Sequence, residues 1–124
     1  MENFPEELEL ISLFCVDSRT EDSNLPFYYR ETTFDFVMND LEYHIVILPS
    51  ADQFKISIKD STKDLTFFQA KYESVSNFEI LKDTRDEACF RIKLDHDSDR
   101  FFTLVDIKLK PYFSIKIEEC FKKN

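Results

Sequence analysis

Cys89-Phe90-Arg91-Ile92-Lys93-Leu94 leads into the polar turn Asp95-His96-Asp97-Ser98-Asp99. The run Arg100-Phe101-Phe102-Thr103-Leu104-Val105-Asp106-Ile107-Lys108-Leu109 follows, and then Tyr112-Phe113-Ser114-Ile115-Lys116-Ile117-Glu118. In each of the three apolar segments, hydrophobic and polar residues largely alternate. A strand with one face on a core and one in water requires that two-residue period, because successive side chains leave it on opposite sides. The stretch predicts a three-strand antiparallel meander.

The same period governs much of the chain upstream. Residues 27–38 are rich in aromatic and β-branched types and set Phe34, Phe36 and Met38 on one face, which predicts a long strand bent near Arg30-Glu31. Asn39-Asp40 tolerate positive φ, so residues 41–48 are expected to return through a tight hairpin with Tyr43, Ile45 and Ile47 across from that face. Ile45 to Leu48 is apolar on both sides, which calls for a central place in the sheet or one beneath a helix. Phe54-Lys55-Ile56-Ser57-Ile58-Lys59 and residues 65–72 form the next hairpin around Asp60-Ser61-Thr62-Lys63-Asp64, and Phe78-Glu79-Ile80-Leu81 is a further short strand. Phe54 to Ile58 echoes Phe90 to Leu94, and Phe78 to Leu81 echoes Phe113 to Ile117, as two tandem meanders of about 35 residues would, with the 78–81 strand closing the first.

At the N-terminus, Asn3 as a cap, Pro5 in the first turn and Glu6-Glu7 near the positive end of the dipole predict a short helix, burying Leu8, Ile11 and the Phe14-Cys15 pair. A strand using Leu8, Leu10, Ser12 and Phe14 competes with it. Residues 17–24 contain no apolar side chain and read as a surface loop. The sum is a mainly β (β-rich α+β) fold of about eight antiparallel strands and one short helix. It is expected to form one domain over residues 1–124, a sandwich or twisted half-barrel. Lys55, Lys59, Arg91, Lys93, Lys108, Lys110 and Lys116 alternate outward, as residues that guard sheet edges do.

Composition narrows the function by exclusion. The chain has no glycine and no tryptophan. Phosphate-cradling loops and the G-x-S-x-G nucleophile elbow need glycine, so nucleotide-fold and elbow-type enzymes are excluded. Turns with positive φ must then fall to Asn and Asp. A net charge of −9 repels nucleic acid and anionic membranes and speeds encounter with a basic protein. No apolar run approaches the roughly 20 residues needed to span a bilayer, and the acidic start lacks the basic region of a signal peptide, so a cytoplasmic protein is expected. Cys15, Cys89 and Cys120 form no C-x-x-C pair and are read as free thiols, with a Cys89–Cys120 disulfide left open.

Chemistry-bearing residues are few. His44 and His96 are the only histidines, and His44 is expected to face solvent or be satisfied within the sheet rather than act as a base. Asp95, Asp97 and Asp99 alternate as calcium ligands do, and Asp60 and Asp64 occupy the matching turn upstream. A calcium loop also needs a glycine and a later glutamate, which are missing. No metal site or cofactor is therefore expected. What remains is protein binding through Asp17, Glu21 and Asp22, through Asp83, Asp86 and Glu87, and through Asp95, Asp97 and Asp99, with Tyr28 and Tyr29 as contact aromatics.

The acidic composition, the run of meander strands and the late segment Leu109-Lys110-Pro111-Tyr112-Phe113-Ser114-Ile115 together resemble the small immunity proteins of bacterial polymorphic-toxin and contact-dependent-inhibition systems, over about the last seventy residues. The resemblance implies a non-enzymatic, stoichiometric inhibitor of a cognate toxin, often a basic nuclease, and the net charge predicts no nucleic-acid or membrane partner. The alternative is a calcium- or ligand-binding β-sandwich module using Asp60/Asp64 and Asp95/Asp97/Asp99. A small enzyme would need a histidine or cysteine in a pocket.

Overall fold

The computed structural model describes residues 1–95 and 100–122. They form two compact units, residues 6–73 (the first unit) and residues 1–5 with those from 74 onward (the second unit). The first holds α1 (Glu7–Phe14), β1 (Thr32–Met38), β2 (Leu41–Leu48), β3 (Gln53–Asp60) and β4 (Leu65–Tyr72). The second holds β5 (Val75–Asp83), β6 (Ala88–Leu94), β7 (Phe101–Lys110) and β8 (Ser114–Phe121). Each unit contains one four-stranded antiparallel sheet in chain order, β1-β2-β3-β4 and β5-β6-β7-β8, and neither closes into a barrel.

In the first unit Phe34 pairs with Ile45 and Phe36 with Tyr43, the face that alternation requires. β2 lies between β1 and β3, and Ile45, Val46 and Ile47 are all buried, which accounts for a segment apolar on both sides. The helix buries Leu10, Leu13 and Phe14, while Leu8 is 75% exposed. The i, i+3, i+4 spacing fits both sets of residues, and only the packed face distinguishes them. The Phe14 ring lies 5.0 Å from Phe34 and 5.1 Å from Phe36. The cap is not Asn3: the Glu6 amide donates to Glu9 Oε1 at 3.0 Å, and Asn3 pairs with Asn77 beside β5. The first strand is also shorter than expected. Pro26 precedes a 3-10 turn over Phe27–Tyr29, and the extended chain begins only at Thr32.

Positive φ falls on Cys15, Asn39, Asp40, Asp52 and Asp64, so Asn and Asp supply four of the five positions a glycine would take. Asn39 (φ 53°) and Asp40 (φ 63°) form the two-residue loop between Met38 and Leu41, the pair of left-handed residues that the strand twist favours. An Asp40→Gly substitution removes the Cβ penalty there. The Asp40 carbonyl still accepts from the Ser61 amide and hydroxyl. The expected gain is about 0.5–1 kcal/mol, read as a higher urea midpoint at unchanged slope.

In the second unit Val75, Phe78, Ala88, Phe90, Ile92, Leu94, Val105, Ile107 and Leu109 are buried, with Phe78 and Phe90 stacked at 4.9 Å. The 78–81 segment opens this sheet and does not close the preceding meander: Phe78 pairs with Ile92 and Ile80 with Phe90. Alternation is imposed by the pleat in every meander and carries no information about which neighbour a strand chooses. The outward lysines and arginines lie mainly on the inner strands β3, β6 and β7, and only Lys116 is on an edge strand. The edges of β1 and β5 are instead covered by chain segments, Arg19 pairing with Thr33 and Asn3 with Asn77. Cys15, Cys89 and Cys120 are free thiols, and Cys89 and Cys120 lie on β6 and β8 with β7 between them, which closes the disulfide option.

On the outward face Arg91 grips Asp106 with two bonds, Nε to Oδ1 at 2.7 Å and Nη2 to Oδ2 at 3.0 Å. The bond from Arg91 outweighs partial burial and holds the Asp106 carboxyl below its ordinary value of 3.8. A lowered carboxylate contributes stability that is fully present above its unfolded value and lost as pH falls through the folded one. Asp106→Asn is therefore expected to cost about 0.5–1 kcal/mol at pH 7, with the gap to the native protein closing in urea melts as the pH falls below the ordinary carboxylate range.

Candidate partner-binding surface

The net charge is not spread along the chain. Residues 6–42 carry ten acidic side chains against Arg19 and Arg30, a net −8 out of −9. That stretch supplies α1, the connection to β1, β1 itself and the first turn, and residues 43–73 are balanced, so the first unit carries a net −8 of the −9. An excess of exposed negative charge steers a positive partner toward the part that carries it.

Two ion pairs anchor the connection between α1 and β1. Arg30, only 12% exposed, pairs with Glu7, which also accepts from the Ser18 hydroxyl at 2.6 Å. The Arg30 guanidinium donates to the Leu25 carbonyl at 3.3 Å and sits over the Phe27 ring at 5.9 Å. The polar surface loop is thus tied at both ends, to α1 and to the 3-10 turn that follows it. Beyond it, the Arg19 backbone pairs with Thr33 and its guanidinium with Asp35, while Asp35 Oδ1 takes His44 Nδ1 at 2.5 Å. Burial pulls the Asp35 carboxyl up, but the bonds from His44 and Arg19 together outweigh it and hold the group below its ordinary value.

His44 stands at the meeting point of three shallow grooves on the outward face of β1 to β4. One of about 410 Å³ runs past Asp35, Val37, Glu42 and Ser57. One of about 360 Å³ is lined by Arg19, Glu21, Asp22, Glu31 and Lys55. The third, about 520 Å³, lies over Lys55, Ser57, Lys59 and Gln69. Asp35, His44 and Ser57 form a row across three strands. Ser57 Oγ makes no hydrogen bond to the imidazole, so the row lacks the serine-to-histidine link of a nucleophile relay. His44 is half exposed and satisfied by Asp35, as expected from the sequence.

The acidic residues singled out in the sequence separate into different places. Asp17, Glu21, Asp22, Tyr28 and Tyr29 all belong to the first unit; Glu21 and Asp22 share a groove wall with His44, and Tyr28 and Tyr29 meet edge to face at 4.9 Å with Tyr29 61% exposed. Asp83, Asp86 and Glu87 lie at the β5–β6 hairpin of the second unit, where Glu87 pairs with Lys82 at 2.8 Å and Lys110 ties the loop through the Thr84 and Arg85 carbonyls. Asp95 holds Lys122 at 2.6 Å. Asp97 and Asp99, like His96, lie outside the described residues. Sequence reading missed Glu31, Asp35, Glu42 and the anchoring arginines. The run of ten acids against two bases was the signal that could have found them.

The calcium alternative finds no support. Asp60 accepts from the amide and hydroxyl of Thr62 at 2.8 and 2.6 Å, and Asp64 is held by Lys59 at 2.7 Å, so both serve their own turn. Among the described residues no three His, Cys, Asp or Glu side chains converge as metal ligands, and no helix is long and apolar enough to cross a membrane.

No protein-family model and no curated protein matches the chain. Among solved structures it is similar to a chain of the contact-dependent growth inhibition toxin–immunity protein complex from Klebsiella pneumoniae 342, with a TM-score of 0.74 and 14% identity over 96% of this chain and 97% of that one. Two four-stranded antiparallel meanders with a short helix are thus the fold of a chain in a toxin–immunity complex.

Proposed function

We propose that this protein is the immunity partner of a toxin, a non-enzymatic inhibitor that binds its cognate toxin one to one in the cytoplasm. The observation that carries the reading is the end-to-end fold likeness to a chain of a toxin–immunity complex. Two further features favour the inhibitor over the toxin. Among the described residues no metal cluster forms and His44 is held by Asp35 without a bond to Ser57, and the first unit carries a net −8 of the −9, as suits the capture of a basic toxin domain. Glu21, Asp22, Asp35 and Glu42 around His44 supply the acidic rim, and Tyr28 and Tyr29 the aromatic anchors.

The test is capture of the partner from the source cells on the tagged protein, at low salt and at about 0.5 M salt, where the Debye length is roughly 4 Å. A captured basic protein is then expressed alone and together with this chain. The expected result is a one-to-one complex and growth restored only in the paired strain. A retained partner that is harmless when expressed alone, or one whose toxicity persists in the paired strain, overturns the reading.

A further inference from the structure

β8 ends its sheet, and no other strand pairs with its outer edge among the described residues. The Lys122 amide donates to the Arg100 carbonyl at 2.7 Å, and the β7–β8 register runs without a break from Lys108↔Ser114 to Phe101↔Phe121. In an antiparallel pair the N–H and C=O of a residue point to the same neighbour, and the direction alternates along the strand. The even-numbered residues of β8 therefore bond β7, and Ile115, Ile117, Glu119 and Phe121 turn their backbone groups to the open edge. Ile117 is 57% and Phe121 72% exposed. The opposite edge, β5, is covered by Asn3, so this sheet guards one side and leaves the other as a template for a strand.

We propose that the strand that fits it is β8 of a second copy of this chain, antiparallel about Ile117. In that register Ile117 meets Ile117, Lys116 meets Glu118 in both directions, and Phe113 meets Phe121. Residues whose backbone groups face outward meet only one another, so the ladder hydrogen bonds close. The charges select the axis. Centred on Ile115, Lys116 faces Ser114; centred on Glu119, Lys116 faces Lys122. Centred on Lys116 or Glu118, like charges sit directly opposite, which disfavours pairing. Lys116 and Glu118 now pair along their own strand at 2.9 Å, both well exposed, and are available to exchange partners.

Light scattering after size exclusion, from about 5 to 500 μM because a single strand pair is a small interface, is expected to show the mass rising from one copy to two. Lys116→Glu and Glu118→Lys each set like charges across both ends of the register and should hold the protein as one copy. The double variant restores complementarity and should restore the second copy. Both positions are exposed, and circular dichroism confirms that the variants fold. A native protein of one-copy mass throughout the range, or a two-copy form unmoved by the single reversals, overturns the proposal. So does a one-copy protein in which Ile115, Ile117 and Glu119 amides gain exchange protection only when the toxin is added, since the edge then belongs to the toxin.

Discussion

Phe14→Ala lowers the stability of the first unit by about 3–4 kcal/mol, the usual cost of truncating a fully buried aromatic ring. Phe14 is 1% exposed and begins a run of rings: it stacks on Phe36 at 5.1 Å, and Phe36 stacks on Tyr43 at 4.7 Å. The helix that carries it has eight residues, too few to persist without tertiary packing. Loss of the ring therefore loosens α1, and with it the Glu7–Arg30 pair that fastens the loop to β1. Urea unfolding measures the cost. The Tyr43 phenol, pushed up to about 12 by burial, gives a second readout, because water admitted beside Phe36 brings it back toward 10 in an alkaline absorbance titration. Leu8→Ala, on the exposed side of the same helix, should fall within about 0.5 kcal/mol of the native protein. A Phe14→Ala cost below about 1 kcal/mol, with the Tyr43 titration unmoved, would mean that the helix is not held by this ring.

The contrast between Phe14 and Leu8 also marks where sequence reading succeeds. Eight strands, the Asn39-Asp40 hairpin and the pairing of Phe34 and Phe36 with Ile45 and Tyr43 follow from a two-residue period and from turn chemistry, both local properties of the chain. Which side of a helix is buried and which sheet a strand joins are set by long-range packing. So Leu8 was expected inside and lies outside, and the 78–81 strand was assigned to the wrong meander. The candidate surface was legible in part. Acidic loops announce themselves, but the Arg30–Glu7 and Arg19–Asp35–His44 links join residues up to 23 positions apart, and no local pattern records them. A helical cap was likewise expected at Asn3, whose hydrogen bonds instead reach Asn77.

Glu21→Lys with Asp22→Lys halves the charge of residues 6–42, from −8 to −4, without touching a core residue, since both side chains are exposed. Asp83→Lys with Asp86→Lys changes the whole protein by the same amount at the second acidic cluster. If the acidic residues near His44 receive a basic toxin, the first pair should slow association by about tenfold or more at low salt, because steering acts through local potential. The second pair should have a distinctly smaller effect. Dissociation should change less than association in both, as befits charges at a rim, and the two variants should converge near 0.5 M salt, where exposed charges more than about 4 Å apart are screened. Stopped-flow association at several salt concentrations reads all of this. Equal slowing by the two pairs would reduce the role of these acidic residues to net charge alone. Greater slowing by the 83/86 pair would move the docking surface to the β5–β6 hairpin, and a salt-independent rate would remove electrostatic steering from the mechanism.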